Sequence, residues 1–213
     1  MINKPQERGV INALRGNILE ALATFKYLVP TQLMQLGVGT TQIDYLRKNL
    51  RWLRDRRRPY ADCIVYGSPD PRKGSVENLW FLVEEGRNTC VESLFMDEDK
   101  VRMPIGKPPA YKDYYHRRGT VDFHIALHQW ARIAGWEIEL FDTYFDKIGS
   151  NRNSGKYGSM RTKNRVTLSE NEFLIPDANT IITHESGRKE LFLFELHRTK
   201  KHTKKLINQI YQH

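Results

Sequence analysis

The sequence predicts an α+β protein with two domains, the first mainly helical and the second built around strands. Three observations support this prediction: helical periodicity through residues 10–58, two apolar segments around a turn in residues 63–86, and apolar strand patterns after residue 136. With 213 residues, of which 39% are hydrophobic, the chain is long enough to bury two small cores.

The charge balance favours a polyanionic partner. The chain carries 34 Lys and Arg against 25 Asp and Glu, a formal net charge of +9. Nucleic acid is the commonest partner of this kind, and an anionic membrane surface is the weaker alternative. Because no apolar stretch reaches the ~18 residues of a membrane span and the N-terminus lacks a signal-peptide core, we expect a cytoplasmic protein without membrane insertion. Cys63 and Cys90 are expected to remain thiols, and no Cys/His cluster predicts a zinc site.

A winged helix-turn-helix domain is predicted for residues 1–95. The first helix has apolar residues at three- and four-residue intervals, and Thr31 is the predicted cap of a short second helix. The third helix begins at Thr40 or Thr41 and is stopped by Pro59. Two apolar segments joined by a turn rich in Gly and Pro then provide the hairpin that forms the wing.

Basic side chains are concentrated on the third helix and on the tip of the wing. A run of charges is commonly a solvated surface, but seven basic residues on the last of three helices, followed by a basic wing, favour DNA binding. The helix would enter a major groove, and the wing would contact phosphates. The predicted DNA-binding residues of this domain are Arg47, Lys48, Arg51, Arg54, Arg57 and Arg58 on the helix, with Arg72 and Lys73 on the wing.

A linker is predicted at residues 96–118 and a second domain at residues 119–213. The domain opens with a helix capped near Thr120 and closed by Gly135, after which WEIELF alternates as a strand. A loop rich in Gly, Ser and Asn follows. We expect its basic residues to hold a phosphate backbone, the alternative being a disordered surface insertion. These residues are Arg152, Lys156, Arg161 and Lys163.

The stretch IPDANTIITHESGRKELFLFELHR predicts two strands joined by a turn, the second of them apolar on both faces and therefore in the middle of a sheet. Pairing of the strands would bring Asp177 and Glu195 to neighbouring positions. Two close carboxylates repel each other, and a divalent cation with hard oxygen ligands relieves that repulsion. His197 would point to the same site as a ligand, a general base or a phosphate contact. An ordinary structural role for both carboxylates is the alternative.

The order of these motifs resembles that of a known family. The segments LWFLVEEG, YYHRRGTVDFHIAL and PDA…FELHRT are similar to the replication-relaxation family, which includes the MobC-type relaxases of mobilizable plasmids. The resemblance covers most of the chain and implies a winged-helix domain fused to a small restriction-endonuclease-like α/β domain. It assigns Asp177 and Glu195 to the acidic positions of the nuclease motif, with His197 where the motif has Lys. The chain ends where the nuclease core continues with another strand, so we expect a smaller sheet or a truncated domain.

The resemblance also implies a role in plasmid mobilization, conjugation or replication. We expect a relaxase or endonuclease that nicks DNA at an origin, with Asp177, Glu195 and His197 as catalytic residues and Mg²⁺ or Mn²⁺ as cofactor. The expected partners are double-stranded plasmid DNA, single-stranded at the nick, and relaxosome proteins. A non-catalytic DNA-binding accessory or replication-control protein with an inert nuclease-like domain is the alternative. The implied metal ligands are Asp177, Glu195, Glu137 and Glu139, and the implied phosphate contacts are Lys200 and Lys201.

Overall fold

The computed structural model confirms the α+β class, since helices and antiparallel sheets are both present. The chain divides into two compact units, Met1–Lys112 and Asp113–His213, and the division falls within the predicted linker. No helix in the described part of the chain is both long and apolar enough to cross a membrane. The described residues are 11–69, 72, 74–105, 108–148, 161–170 and 172–196. Outside them lie the predicted site residues Lys73, Arg152, Lys156, His197, Lys200 and Lys201.

Unit 1, which spans Met1–Lys112, has three helices followed by a hairpin, the order that the sequence predicts. Its elements are α1 Ala13–Phe25, α2 Pro30–Gln35, α3 Ile43–Arg54, β1 Ala61–Ile64, β2 Leu79–Leu82 and α4 Glu84–Glu92, followed by a 3₁₀ turn at Glu98–Lys100. β1 and β2 pair antiparallel, with Ala61 opposite Leu82. Leu28, in the connection between α1 and α2, adds a bridge to Trp80 through two backbone hydrogen bonds of 3.0 and 2.8 Å.

The core of unit 1 is formed by the apolar faces of its helices and hairpin. Leucines repeat at helical spacing along α3, and Leu46, Leu50 and Leu53 are buried together with Leu22 of α1 and Leu82 of β2. Because one side of α3 belongs to this core, its other side faces solvent, and that side carries the basic residues.

The end of α3 differs from the prediction. The helix stops at Arg54 rather than at Pro59, because the chain turns back after Leu53. The Tyr60 N–H donates to the Leu53 carbonyl over 2.9 Å, and this bond directs the chain into β1. The last three arginines of the predicted helical face, at positions 56, 57 and 58, therefore lie beyond the helix.

The start of α2 also differs, because the helix begins at Pro30 instead of being capped by Thr31. Proline suits the first helical position since it has no N–H to satisfy there. Thr31 donates its backbone N–H and its hydroxyl to the Glu77 carboxylate, at 3.1 and 2.6 Å. This contact ties α2 to the segment that leads into β2.

In the described part of unit 2, which spans Asp113–His213, a long helix precedes a three-stranded antiparallel sheet with the order β3-β8-β9. The elements are α5 Tyr114–Ala134, β3 Glu137–Thr143, β4 Lys147–Ile148, β5 Arg161–Thr162, β6 Val166–Thr167, β7 Phe173–Leu174, β8 Ala178–Thr183 and β9 Lys189–Phe194. The short strands pair as β4 with β5 and β6 with β7. Phe123 of α5 stacks on Phe194 of β9 with ring centres 3.9 Å apart, which places the helix against the sheet.

α5 begins at Tyr114, whereas the sequence predicted a cap near Thr120. Thr120 lies inside the helix, where its hydroxyl donates to the His116 carbonyl over 3.1 Å. A glycine is needed at position 119 because a Cβ there would lie only 2.6 Å from Cδ2 of Leu196. The last residues of the predicted linker thus belong to this helix, and its predicted end at Gly135 is confirmed by the left-handed backbone there.

β9 lies at the edge of the described sheet, whereas the sequence predicted that it would lie in the middle. β8 is the central strand, since it pairs with β3 on one side and with β9 on the other. Leu191 and Phe192 of β9 are accordingly 60% and 44% exposed, so this apolar run does not reflect burial on both faces. The predicted hairpin turn between β8 and β9 is confirmed, and the His184 N–H donates across it to the Arg188 carbonyl over 2.9 Å.

Two helical glycines of unit 1 should respond oppositely to replacement by Ala. A Cβ at Gly86 of α4 would lie 2.0 Å from the Tyr60 carbonyl oxygen, whereas one at Gly16 of α1 would lie 3.6 Å from Leu94. We expect Gly86→Ala to lower the free energy of unfolding by about 1–3 kcal/mol and Gly16→Ala to raise it by up to about 1 kcal/mol. Urea denaturation followed by circular dichroism measures both, and equal effects of the two substitutions would contradict the close packing of α4 on Tyr60.

Candidate functional site

A groove lined by arginines lies between α3 and the hairpin of unit 1. Arg47, Arg51 and Arg54 share one face of α3 because their spacing follows the helical repeat. The cavity has a volume of about 260 Å³. We call it the basic groove, and it is lined by Pro30, Arg47, Arg51, Arg54, Val76, Glu77, Asn78 and Trp80.

The charges in the basic groove are only partly balanced. Arg47 lies 3.3 Å from Asp44, an exposed pair that contributes little. Arg54 donates to Asp55 over 2.8 Å and to the Cys63 thiol over 3.5 Å, and these hydrogen bonds raise its pKa. Arg51 is exposed and has no ion pair among the described residues. The groove is therefore suited to an anion.

Glu77 is the acidic residue that lines the basic groove, but both of its carboxylate oxygens accept hydrogen bonds from Thr31. Its charge is thus partly satisfied by α2. Trp80 forms a buried wall, and the Arg54 guanidinium lies 5.8 Å from its ring centre. The contact with Trp80 consequently holds the Arg54 side chain at the groove.

The other predicted DNA-binding residues within the described chain differ in their surroundings. All of them are exposed: Lys48 on α3, Arg57 and Arg58 after α3, Arg72 in the hairpin turn, and Arg161 and Lys163 in and after β5. The Lys163 ammonium lies 2.9 Å from the buried carboxylate of Asp142. This ion pair with a buried carboxylate supports a structural role for Lys163 as well as the predicted phosphate contact.

The pairing of the strands around Asp177 is confirmed. Ala178 lies opposite Phe194 at the end of the β8–β9 ladder, so Asp177 directly precedes β8 and Glu195 directly follows β9 at the same end of the sheet. On the other side, the Tyr144 N–H donates to the Asp177 carbonyl over 3.1 Å. The convergence of the two carboxylates on one site stays a prediction.

The Asp177 carboxylate is held by two groups that the sequence did not indicate. Its Oδ2 accepts a hydrogen bond from the Leu196 backbone N–H over 2.6 Å and lies 2.9 Å from Nε2 of His116 on α5. Asp177 is 9% exposed, so these contacts replace most of its hydration. Glu195 is half-buried, with its Oε1 atom shielded from solvent. His116 fell in the predicted linker, and only recognition of the earlier start of α5 would have brought it to this site.

The turn that carries Asp177 is fixed by a buried amide. Asn164 is fully buried, and its side-chain N–H donates to the Pro176 carbonyl. Nearby, Oδ2 of Asp146 accepts hydrogen bonds from the backbone N–H and the hydroxyl of Thr143, at 2.9 and 2.7 Å. The Asp146 bonds close the turn after β3, and the Tyr144 N–H bond to the Asp177 carbonyl joins that turn to the residue before β8.

Glu137 and Glu139, the predicted additional metal ligands, lie at the other end of the sheet. Glu137 pairs with Thr183, and Asp177 is six residues before Thr183, which corresponds to roughly 20 Å along a strand. Glu139 accepts hydrogen bonds from Lys189 over 2.8 Å and from Thr183 over 2.6 Å, and these lower its pKa. The structure thus separates both glutamates from Asp177.

The carboxylates of Asp177 and Glu195 would supply hard oxygen ligands, which suit Mg²⁺ or Mn²⁺. Within the described ranges, no group of three or more His, Cys, Asp and Glu side chains lies close enough to hold a metal ion. A metal ion at this end of the sheet would therefore have at most two ligands of these types from the described residues.

Comparison of the chain with protein-family models, with curated proteins and with solved structures gave no match. The resemblance to replication-relaxation proteins is therefore supported by its sequence motifs alone.

The free energy of unfolding should depend on pH through the buried phenol of Tyr144, which lies next to Asp177. Burial raises its pKa to about 12, against about 10 in an unfolded chain. The unfolded chain releases this proton first, so the stabilising contribution of the neutral phenol is complete below about pH 10 and is lost as the pH rises to about 12. The Tyr144→Phe variant should therefore lose less of its free energy of unfolding than the wild type as the pH rises from about 10 to about 12. Urea unfolding at a series of pH values measures this difference.

At pH 7 the same substitution should leave the free energy of unfolding unchanged or slightly higher, since the buried Tyr144 hydroxyl has no hydrogen-bond partner in the described structure. Tyr66→Phe is the matched control, because the Tyr66 hydroxyl donates to the Pro109 carbonyl over 2.8 Å. Its loss should cost about 1 kcal/mol. An equal loss in both variants would show that the Tyr144 hydroxyl does make a stabilising bond.

Proposed function

We propose that the chain is a plasmid mobilization or replication protein whose unit 1 is a winged helix that binds double-stranded DNA. The observation that carries this proposal is the basic groove, which is lined by three arginines of α3. The third helix of three, followed by a hairpin, is the arrangement in which a helix enters the major groove. The excess of basic residues in the whole chain supports the same partner.

Unit 2, in this proposal, is a restriction-endonuclease-like domain that nicks DNA at an origin, as a relaxase or endonuclease working with relaxosome proteins. It is supported by the position of Asp177 directly before β8 and of Glu195 directly after β9, at the same end of the sheet. When bound to these carboxylates, Mg²⁺ or Mn²⁺ supplies a water of lowered pKa and a positive charge next to the phosphate that is cleaved. His116 and the Leu196 N–H would orient the Asp177 carboxylate.

A non-catalytic DNA-binding accessory protein is the second candidate, and one observation favours it. Oδ2 of Asp177 already accepts a hydrogen bond from Leu196 and contacts His116, as expected for a carboxylate with a structural role. In that case unit 2 is an inert scaffold, and DNA binding by unit 1 is the whole activity. The two candidates differ in metal-dependent nicking and not in DNA binding.

Replacement of Arg51 by Gln should weaken binding of a labelled, mixed-sequence DNA duplex roughly tenfold, because a charge-assisted contact to phosphate is lost. Fluorescence anisotropy across a series of salt concentrations measures this change with the full chain. Arg132→Gln is the matched control, since Arg132 is an exposed residue of α5 and its replacement removes the same charge from unit 2. Equal weakening by both variants would indicate a general charge effect and contradict a specific role of the basic groove.

Nicking of a supercoiled plasmid tests the second part of the proposal. With Mg²⁺ or Mn²⁺ we expect wild-type protein to nick the plasmid, and EDTA to stop it. Asp177→Ala and Glu195→Ala should each reduce the rate at least about a hundredfold, while DNA binding persists. Glu139→Ala is the control, because it removes a carboxylate that pairs with Lys189 away from Asp177 and should nick normally. A folded, DNA-bound wild type without metal-dependent nicking would establish the accessory role instead.

A further inference from the structure

Trp52 of α3 is stacked between two arginines. The guanidinium carbon of Arg15, on α1, lies 3.5 Å from the centre of the Trp52 ring, and that of Arg56, just after α3, lies 3.6 Å from it. At these separations each guanidinium lies directly over the ring, and one face of an indole has room for only one of them. The two arginines therefore cover opposite faces of Trp52, and we call this group the arginine–tryptophan stack.

The stack is fixed in position by α3. Nε of Arg15 donates to the Asn49 side-chain oxygen over 3.0 Å, and the Asn49 side chain donates in turn to the Tyr45 carbonyl over 3.0 Å. Asn49 is buried, so this chain of bonds is anchored within unit 1. Arg15 is consequently held against Trp52 before any partner arrives, which reduces the entropy that binding would cost.

The stack concentrates positive charge. The two guanidinium groups are about 7 Å apart across the indole, given their distances from its centre. Burial, and then the charge of Arg56, lowers the pKa of Arg15. An anion bound at the exposed edge of the stack would relieve this repulsion and form charge-assisted hydrogen bonds with both groups.

The stack and the basic groove lie on opposite flanks of α3. Successive residues of an α-helix are rotated by about 100°, so Trp52 lies on the side of α3 away from Arg47 and Arg54. Lys48, which is exposed, lies between Arg51 and Trp52 around the helix. A helix with its side chains is about 10–12 Å wide and a major groove is about 12 Å wide, so a helix in the groove has a phosphate backbone along each flank.

We propose that the arginine–tryptophan stack binds a backbone phosphate of one DNA strand while the basic groove binds the other strand, so that α3 is clamped in the major groove from both flanks. This inference rests on the proposed binding of duplex DNA by unit 1. Arg15 and Arg56 make the phosphate contacts, and Trp52 positions their guanidinium planes.

The salt dependence of duplex binding tests this clamp in the full chain. Each lost phosphate contact reduces the slope of log K against log salt by about 0.9, so Arg15→Gln and Arg56→Gln should each lower it by about 0.9 and the double variant by about 1.8. Arg15→Lys retains the charge and should recover most of the slope. Arg132→Gln should leave the slope unchanged, because Arg132 is in α5.

The outcomes separate the clamp from the proposed function. The clamp is overturned when Arg15→Gln and Arg56→Gln match Arg132→Gln while Arg51→Gln still weakens binding. Wild-type protein that binds no duplex overturns the proposed function and the clamp together. Thermal unfolding of each variant identifies loss of folding, and should Arg15→Gln unfold, Arg56→Gln decides, because Arg56 follows the end of α3 and is not part of the Asn49 hydrogen bonds.

Discussion

The burial of one side of α3 is the constraint on which unit 1 depends. Leu46, Leu50 and Leu53 are fully buried, and this fixes the rotation of the helix about its own axis. A slip of one residue would turn the helix by about 100° and carry arginines into an apolar core, where an unpaired charge is very costly. The positions of the basic groove and of Trp52 are therefore set by residues that would never touch DNA.

In unit 2 the register of β8 has the corresponding role. Thr180 faces Phe141 on one neighbouring strand and Phe192 on the other, and a shift by one residue would exchange the two faces of the strand. The observed register places Asp177 and Glu195 at the same end of the sheet, directly before β8 and directly after β9. The hydrogen bonds at Asp177 are compatible with a carboxylate prepared for a cation and with one that simply ties α5 to the sheet, and for this reason geometry alone leaves nicking as a proposal.

The elements of this fold were largely predictable from local pattern, whereas their limits and partners were not. The alternation of side chains along a strand is local, so the pairing of β8 with β9 followed from the sequence. Tertiary contacts decided the rest: Gly119 leaves room for the Leu196 side chain beside α5, and the early start of that helix brings His116 to Asp177. A pattern within one segment carries no information about such partners.

The role of Glu139 also depends on contacts that the pattern of its own segment does not reveal. Its alternation along β3 was predicted, but its role depends on a register shift between Ile138 and Leu140 and on the cross-strand partner Lys189.

The division of the chain has a consequence for cooperativity. Each unit has its own core, so each can unfold in its own transition, and one melting temperature need not describe the chain. A change of 1 kcal/mol would shift the transition of a unit of about 100 residues by about 4–8 °C, twice the shift expected of a single domain of about 200 residues.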